Sequence, residues 1–504
     1  MTVAYLKSGV ANWPLVDPSK PRWDHQAEEL ESFGTDKSRG LLWGMRTGKS
    51  RVIVDSACAL RSGNRIRGGL VFAPNGVHMN WVLKQIPLHS WPGMTWEAQY
   101  WSSNFARENP RLWSERFNAL LNSSADMRWL TVNSESLIMP KVKKAISDFL
   151  DKMQGEVIAI ADESVDFRTP GSKRTKAARG LFKKLPYRRI LDGTALMNSP
   201  LHAFSQFELL EPGALGFRTF EEFKGYHSVW KQQRTKSGRY YPALDHFTNL
   251  ETLRENIGDY ASVVLREDCD DMPELLPIDV PVEMSQAQKD AYLELLEKYL
   301  LEFDNGAEID ALEGGKRAIK FHQIVSGFVI DDFGDIQNID DNPPLMQELR
   351  RQVSDTPKYI VWCRFREDIR RVCIALRELG HTIVEYHGGV PQGLRATNVD
   401  QFNNDPGTVG FVGQPQAGGR GLELPADTII WYSSTYDAII RNQANERGTV
   451  MGGRSVSIVT LATPGTVHDD IIASAEGKVR TGDWVSGSGL RDKLKEWKAN
   501  LSSN

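Results

Sequence analysis

Short apolar runs that each end in a polar or glycine-bearing loop recur in two blocks of this chain, with helix-like periodicity between the runs. In the first 200 residues the runs are Leu41-Leu42-Trp43, Leu70–Ala73, Trp129–Val132, Val157–Ala161 and Arg189–Leu191. They lead into Gly44, Pro74-Asn75-Gly76, Asn133-Ser134, Asp162-Glu163 and Asp192-Gly193-Thr194. Runs of this kind, alternating with helices, predict a parallel sheet covered on both faces, with ligands at the carboxyl ends of its strands. From about Leu201 to Gly334 apolar positions recur every three or four residues, most regularly over Gln286–Phe303, and helix is expected. Inside that stretch Val229–Tyr241 reads as a basic and aromatic hairpin turning at Ser237-Gly238, and acidic Asp331–Pro344 reads as a connector.

A second alternating block starts near Pro357. Lys358–Trp362, Thr382–Tyr386, Thr408–Val412, Thr428–Tyr432 and Val456–Thr460 are predicted strands, and Arg366–Leu379 a helix. The expected plan is α/β: a first lobe over 1–200, a helical insertion with the hairpin and connector over 201–345, and a second lobe over 346–504.

Composition narrows the class. A chain of 504 residues exceeds one ordinary core, and 40% hydrophobic with 25% charged residues excludes disordered, collagen-like and membrane classes. No apolar run approaches the ~20 residues needed to span a bilayer. The N-terminus lacks an export pattern, so a cytoplasmic setting, in a bacterium or a virus-infected cell, is expected. Cys58, Cys269, Cys363 and Cys373 show no metal-ligand spacing; the last two lie in apolar contexts and read as core residues. Net charge of −4 argues against bulk coating of nucleic acid but leaves room for a local basic track. Arg168–Arg189 holds nine basic residues and no acid, either a solvated helix face or such a track.

Candidate chemistry begins at Gly44-Met45-Arg46-Thr47-Gly48-Lys49-Ser50, between an apolar strand and the helical run Arg51–Leu60. Such a turn aims the backbone N–H groups of Arg46, Thr47 and Gly48 and a helix N-terminus at a polyphosphate. Lys49 would reach the β- and γ-phosphates and the Ser50 hydroxyl would hold Mg²⁺. Trp43 stands where the first glycine of the standard loop is expected. Asp162-Glu163, directly after a buried strand, supplies one carboxylate for the metal (Asp162) and one to polarise attacking water (Glu163).

The order of these motifs resembles the Swi/Snf-like branch of superfamily 2 helicases and DNA translocases, close to compact versions from bacteria and phages. Asp24-His25-Gln26 resembles the adenine-reading glutamine motif. Phe72–Trp81 resembles motif Ia, with Pro74, Asn75, Asn80 and Trp81 abutting the DNA track. Asn133–Leu137 resembles a further family stretch. Asp162-Glu163-Ser164 and Leu191–Pro200 resemble motifs II and III. In the second block Ile360–Arg364 resembles motif IV, Gln416–Leu424 motif V, Gln443–Arg447 the start of motif VI, and Thr463–Ile472 the segment closing the second lobe.

The resemblance covers about Trp23 to Ile472 and implies two RecA-like lobes with ATP and Mg²⁺ between them. It makes Arg447 the arginine finger and Gln443 a sensor of the same phosphate, with Glu423 on the ribose. Arg364, Gly418 and Gly419 would hold the DNA backbone. Arg234 and Lys236 of the hairpin would meet duplex, forked or branched DNA. The implied protein is a monomeric DNA-dependent ATPase, a helicase or double-strand translocase; fork remodelling and branch migration are uses that fit. Motif VI departs from the pattern at Val450, where a second arginine is usual, after Thr449 in place of histidine; Arg454 is the candidate replacement. Ala195 replaces a usual proline and Ser164 a common histidine, while Leu265-Arg266-Glu267 keeps only part of the remodeller signature. Two other readings stay open: an RNA helicase, and a nucleotide-regulated binding subunit with weak turnover.

Overall fold

The computed structural model describes residues 22–193, 199–234, 240–269, 272–305, 311–418, 422–449, 453–477, 484–485 and 487–502. The chain divides into two compact units, Met1–Asp270 and Asp271–Asn504. The stretch 201–345, set apart by its periodicity, is therefore shared between them. Among the described residues no helix is long and apolar enough to cross a membrane.

The first unit contains β1 (Ser38–Trp43), β2 (Gly68–Ala73), β3 (Trp96–Tyr100), β4 (Met127–Asn133), β5 (Val157–Asp162), β6 (Tyr187–Leu191), β7 (Ser228–Arg234), β8 (Tyr240–Phe247) and β9 (Ala261–Val264). All but β7 and β8 form one parallel sheet in the order β3-β4-β2-β5-β6-β1-β9. Alternate side chains of β5 feed two cores, Val157, Ala159 and Ala161 on one face and Ile158 and Ile160 on the other. That two-sided burial is why central parallel strands read as continuous apolar runs. Helix Pro140–Lys152 starts on proline and buries Val142, Ala145, Ile146 and Phe149, one face at helical spacing. β7 and β8 pair only with each other, antiparallel, as the predicted hairpin; its turn lies outside the described residues.

The second unit contains β10 (Leu275–Pro281), β11 (Phe328–Ile330), β12 (Ile336–Asn338), β13 (Tyr359–Trp362), β14 (Thr382–Tyr386), β15 (Thr408–Gly413), β16 (Thr428–Trp431) and β17 (Val456–Ala462). Its parallel sheet runs β10-β17-β16-β13-β15-β14, and β13 again splits its side chains between two cores. Both units thus show the parallel α/β architecture expected of tandem RecA-like lobes. The expected connector carries a small antiparallel ribbon of β11 and β12. Sequence periodicity missed the sheet strands β3 and β9, which are short and partly exposed, and β10, which is longer and mostly exposed. In β10, Pro277 and Pro281 are tolerated because the strand pairs on one side only, with β17. The long helix Gln286–Asp304 is fixed at its start by a capping box between Ser285 and Gln288. All four cysteines are free, and Cys363 and Cys373 are core residues as expected.

Candidate nucleotide site and nucleic-acid-facing loops

In the first unit β1, β6, β5 and β2 lie in order and run parallel, so their carboxyl ends share one sheet edge. The loops there are Gly44–Gly48, Asp192-Gly193, Asp162-Glu163 and Pro74–Gly76. Gly48 caps helix Lys49–Ser62 at φ 82, a backbone that favours glycine, and a Cβ there would stand 2.0 Å from Gln26 Nε2 and push that amide off the loop. Arg46 also takes a left-handed backbone, φ 66. Lys49 Nζ donates to the carbonyls of Trp43 (2.7 Å) and Gly44 (2.9 Å), and Thr47 Oγ1 donates to Gly44 at 2.8 Å. These bonds hold the loop's shape from within. Gln26 Nε2 donates to the Thr47 carbonyl at 3.1 Å and His25 Nε2 lies 2.9 Å from the same oxygen. Here both residues brace the phosphate loop.

Asp162 ends β5 and is buried. Its Oδ2 accepts the Trp81 indole N–H at 2.8 Å and its Oδ1 accepts the Glu163 N–H at 3.1 Å. Burial, then the like charge of Glu163, pushes its pKa up to about 6, while the Trp81 bond and the Lys49 charge pull the other way. Glu163 holds a left-handed backbone at φ 52, and its Oε2 is buried with no hydrogen-bond partner among the described residues. An acid pair short of countercharge, within the field of Lys49, fits a cation. Among the described residues no cluster of three or more His, Cys, Asp or Glu could hold a metal alone. Mg²⁺ shared between one or two carboxylates and substrate phosphates suits such a site. Ser164 Oγ donates to Gln206 Oε1 at 2.6 Å and lies 3.5 Å from Asp192 Oδ2. A buried hydroxyl thus replaces the common histidine, in a network whose Gln206 had no sequence signal.

Trp81 corrects one expectation: it is 1% exposed, in the core, and cannot face nucleic acid. The tryptophan is instead the donor to the candidate metal carboxylate. Pro74 is buried, Asn75 exposed and Asn80 half-buried. Trp230 of the hairpin is 38% exposed beneath Lys224 Nζ, 4.2 Å from the ring, and Lys231 pairs with Asp245 at 2.8 Å. Lys236, Gly419, Val450 and Ala195 lie outside the described residues, as does the environment of the Arg234 side chain. The basic run over 168–189 is partly structural. Arg179 pairs with Glu208, Arg188 with Glu211, and Arg189 is buried on Ser56 Oγ and the Gly34 carbonyl. Lys173, Lys176, Lys183 and Lys184 remain exposed.

In the second unit, considered by itself, Arg364 follows β13. Its N–H donates to Ser433 Oγ at 2.8 Å and its guanidinium lies 4.8 Å from the centre of the Tyr436 ring. Gly418 lies against Trp362, whose indole would meet a Cβ at 2.9 Å. Gln443 is buried in helix Ala438–Asn445, its Nε2 without a hydrogen-bond partner among the described residues. Arg447, on the 3-10 turn Glu446–Gly448, is 8% exposed and donates to the Leu422 carbonyl at 3.2 Å. Glu423 is half-buried and its carbonyl accepts Asn403 Nδ2 at 2.9 Å; Arg454 is exposed just before β17. His387 is a loop residue whose Nδ1 accepts the Gly389 N–H at 3.1 Å.

Residues 342–449 match the family described as Helicase conserved C-terminal domain. The DNA annealing helicase and endonuclease ZRANB3 of Bos taurus is 23% identical over 382 residues, 73% of this chain and 33% of that protein. Helicase SWR1 of Gibberella zeae is 30% identical over 112 residues, 22% of this chain and 7% of that protein. The chain spans about a third or less of the length of these curated relatives. The Sulfolobus solfataricus SWI2/SNF2 ATPase core in complex with dsDNA is 19% identical, covering 92% of both chains at a TM-score of 0.39. Two parallel α/β units of RecA-like build are thus present, and the second contains a match to a helicase C-terminal domain.

Proposed function

We propose that this chain is an ATP- and Mg²⁺-dependent DNA helicase or double-strand DNA translocase of the compact bacterial and phage type, acting as a monomer in the cytoplasm. One observation carries the reading: a carboxylate pair short of countercharge beside a lysine-bearing phosphate loop, at the carboxyl edge of a parallel sheet. Lys49 and the N–H groups of residues 46–48 bind the β- and γ-phosphates. Ser50 and Asp162 would hold Mg²⁺, which supplies neutralisation of the transferred phosphoryl group. Glu163, with one carboxylate oxygen uncommitted, orients the attacking water and takes its proton. Arg447 and Gln443 act on the same phosphate during turnover, and Glu423 on the ribose. Asn75, Asn80, Arg364, Gly418, Gly419 and the hairpin basic residues contact DNA.

The test is multiple-turnover ATP hydrolysis with duplex, forked and single-stranded DNA against RNA, followed by strand displacement on forks and four-way junctions. DNA is expected to stimulate turnover; stronger stimulation by RNA would establish the RNA-helicase alternative. Lys49→Ala and Glu163→Gln should each abolish hydrolysis, with Glu163→Gln still binding ATP; normal turnover in either contradicts these roles. Val450, in place of the second arginine of motif VI, favours a second reading, a nucleotide-regulated binding subunit. That reading requires single turnovers only, with DNA present.

A further inference from the structure

We infer that Trp81 is a positioning residue through which nucleic acid held on residues 74–80 sets the orientation of the Asp162 carboxylate. The inference rests on the proposed reading of the first unit as the ATP-binding lobe of a DNA motor. Three observations carry it. The indole N–H donates to Asp162 Oδ2 at 2.8 Å, with both groups buried. A hydrogen bond to a charged acceptor out of reach of water is strong and directional. Among the described residues Asp162 Oδ1 accepts a neighbouring backbone N–H, at 3.1 Å, and the indole is a long-range donor that fixes the carboxylate plane.

The second observation is the winding. Trp81 opens a π-helical turn, Trp81–Gln85, between the short helical turns Val77–Asn80 and Ile86–His89. Such turns have fewer well-formed bonds than an α-helix and cluster at functional sites. The third is how the segment is anchored. The His78 carbonyl accepts Thr131 Oγ1 at 2.7 Å, and His78 Nε2 lies 2.9 Å from the Trp101 carbonyl. The segment is held at His78, exposed at Asn75-Gly76, and linked to the acid pair by the buried Trp81 indole. A ligand pressing on the exposed tip is read at Asp162 by way of that ring.

Trp129 provides an internal control. It is 1% exposed, belongs to the same core, and its Nε1 has no hydrogen-bond partner among the described residues. Trp81→Phe and Trp129→Phe remove similar volume from one core, yet only the first removes a donor to Asp162. We expect Trp81→Phe to lower DNA-stimulated turnover by roughly tenfold and raise the half-saturating Mg²⁺ concentration several-fold, at unchanged DNA affinity. Trp129→Phe should alter neither, although it too removes buried volume from that core.

A readout free of turnover is the ¹⁵N–¹H indole resonance of Trp81, assigned by its loss in Trp81→Phe. Without nucleotide or Mg²⁺, a short DNA duplex should shift it and leave the Trp129 resonance in place. Equal kinetic losses in the two variants, or a Trp81 resonance unmoved by bound duplex, would overturn the inference and leave the motor reading standing. A wild-type chain that binds no nucleic acid would remove both.

Discussion

Asp368→Asn should stabilise the second unit, and by an amount that grows with pH. Asp368 lies in the first turn of helix Arg366–Glu378, fully buried, where its Oδ2 accepts the Ser433 hydroxyl at 2.5 Å. Burial pushes its pKa from 3.8 up to about 7, against the opposing pull of the Ser433 hydrogen bond. The sign follows by linkage. Below about pH 4 the folded and unfolded chains both carry the proton, and the site costs nothing. Between about pH 4 and 7 the unfolded chain releases it while the native state keeps it, so stability falls as pH rises. Above the folded pKa the cost is complete, about 4 kcal/mol for a rise of roughly three units. An asparagine keeps the volume and can still accept the Ser433 hydroxyl, without the charge. The pH-dependent part is the sharper quantity. Between about pH 5.5 and 8.5 the advantage of Asp368→Asn over the wild type should grow by about 2 kcal/mol. Urea denaturation at the two pH values, with hydrogen exchange locating the transition in residues 272–502, measures it. An equal advantage at both pH values, or a loss at both, refutes the argument. Because Ser433 Oγ also accepts the Arg364 N–H, the titration should move the Arg364 amide resonance with the same midpoint.

Gly48→Ala should abolish ATP binding with little loss of fold, since the new Cβ enters a left-handed turn against the Gln26 amide; calorimetric titration with ATP would show it. Arg447→Ala should reduce DNA-stimulated kcat by about 10³ while ATP affinity holds, and turnover within tenfold of wild type would pass the finger role to Arg454. Replacing Lys231 and Arg234 together by alanine should lower the slope of log affinity against log salt for duplex DNA by roughly 2 and spare ATP binding; an unchanged slope removes the hairpin from the DNA track.

The sequence was most legible where chemistry and local structure coincide. The strand before Lys49 and the strand before Asp162 are buried on both faces, so continuous apolar runs announce them, and the polar residues that follow stand out. Edge strands carried no comparable signal: β9 is partly exposed, and β10 is mostly exposed and contains two prolines. Trp81 shows a different limit. Asn80 and Trp81 are neighbours in the chain, yet the Trp81 ring is buried on Asp162 while Asn80 stays half-buried, and a π turn opens between them. Local pattern cannot register that change of winding. Gln206 was hidden for a related reason: its partner Ser164 is 42 residues away and meets it only once the sheet has formed.

The outer margin of the second sheet has a consequence for self-association. The Val282 N–H donates to Ala462 and the Glu274 carbonyl accepts from Val456, so even-numbered residues of β10 point inward to β17. Residues 275, 277, 279 and 281 therefore turn their backbone outward, and at Pro277 and Pro281 there is no N–H to offer. Asp279 between them adds a charge. A second copy would find outward N–H groups only at Leu275 and Asp279, a poor template for extending the sheet from one molecule into the next.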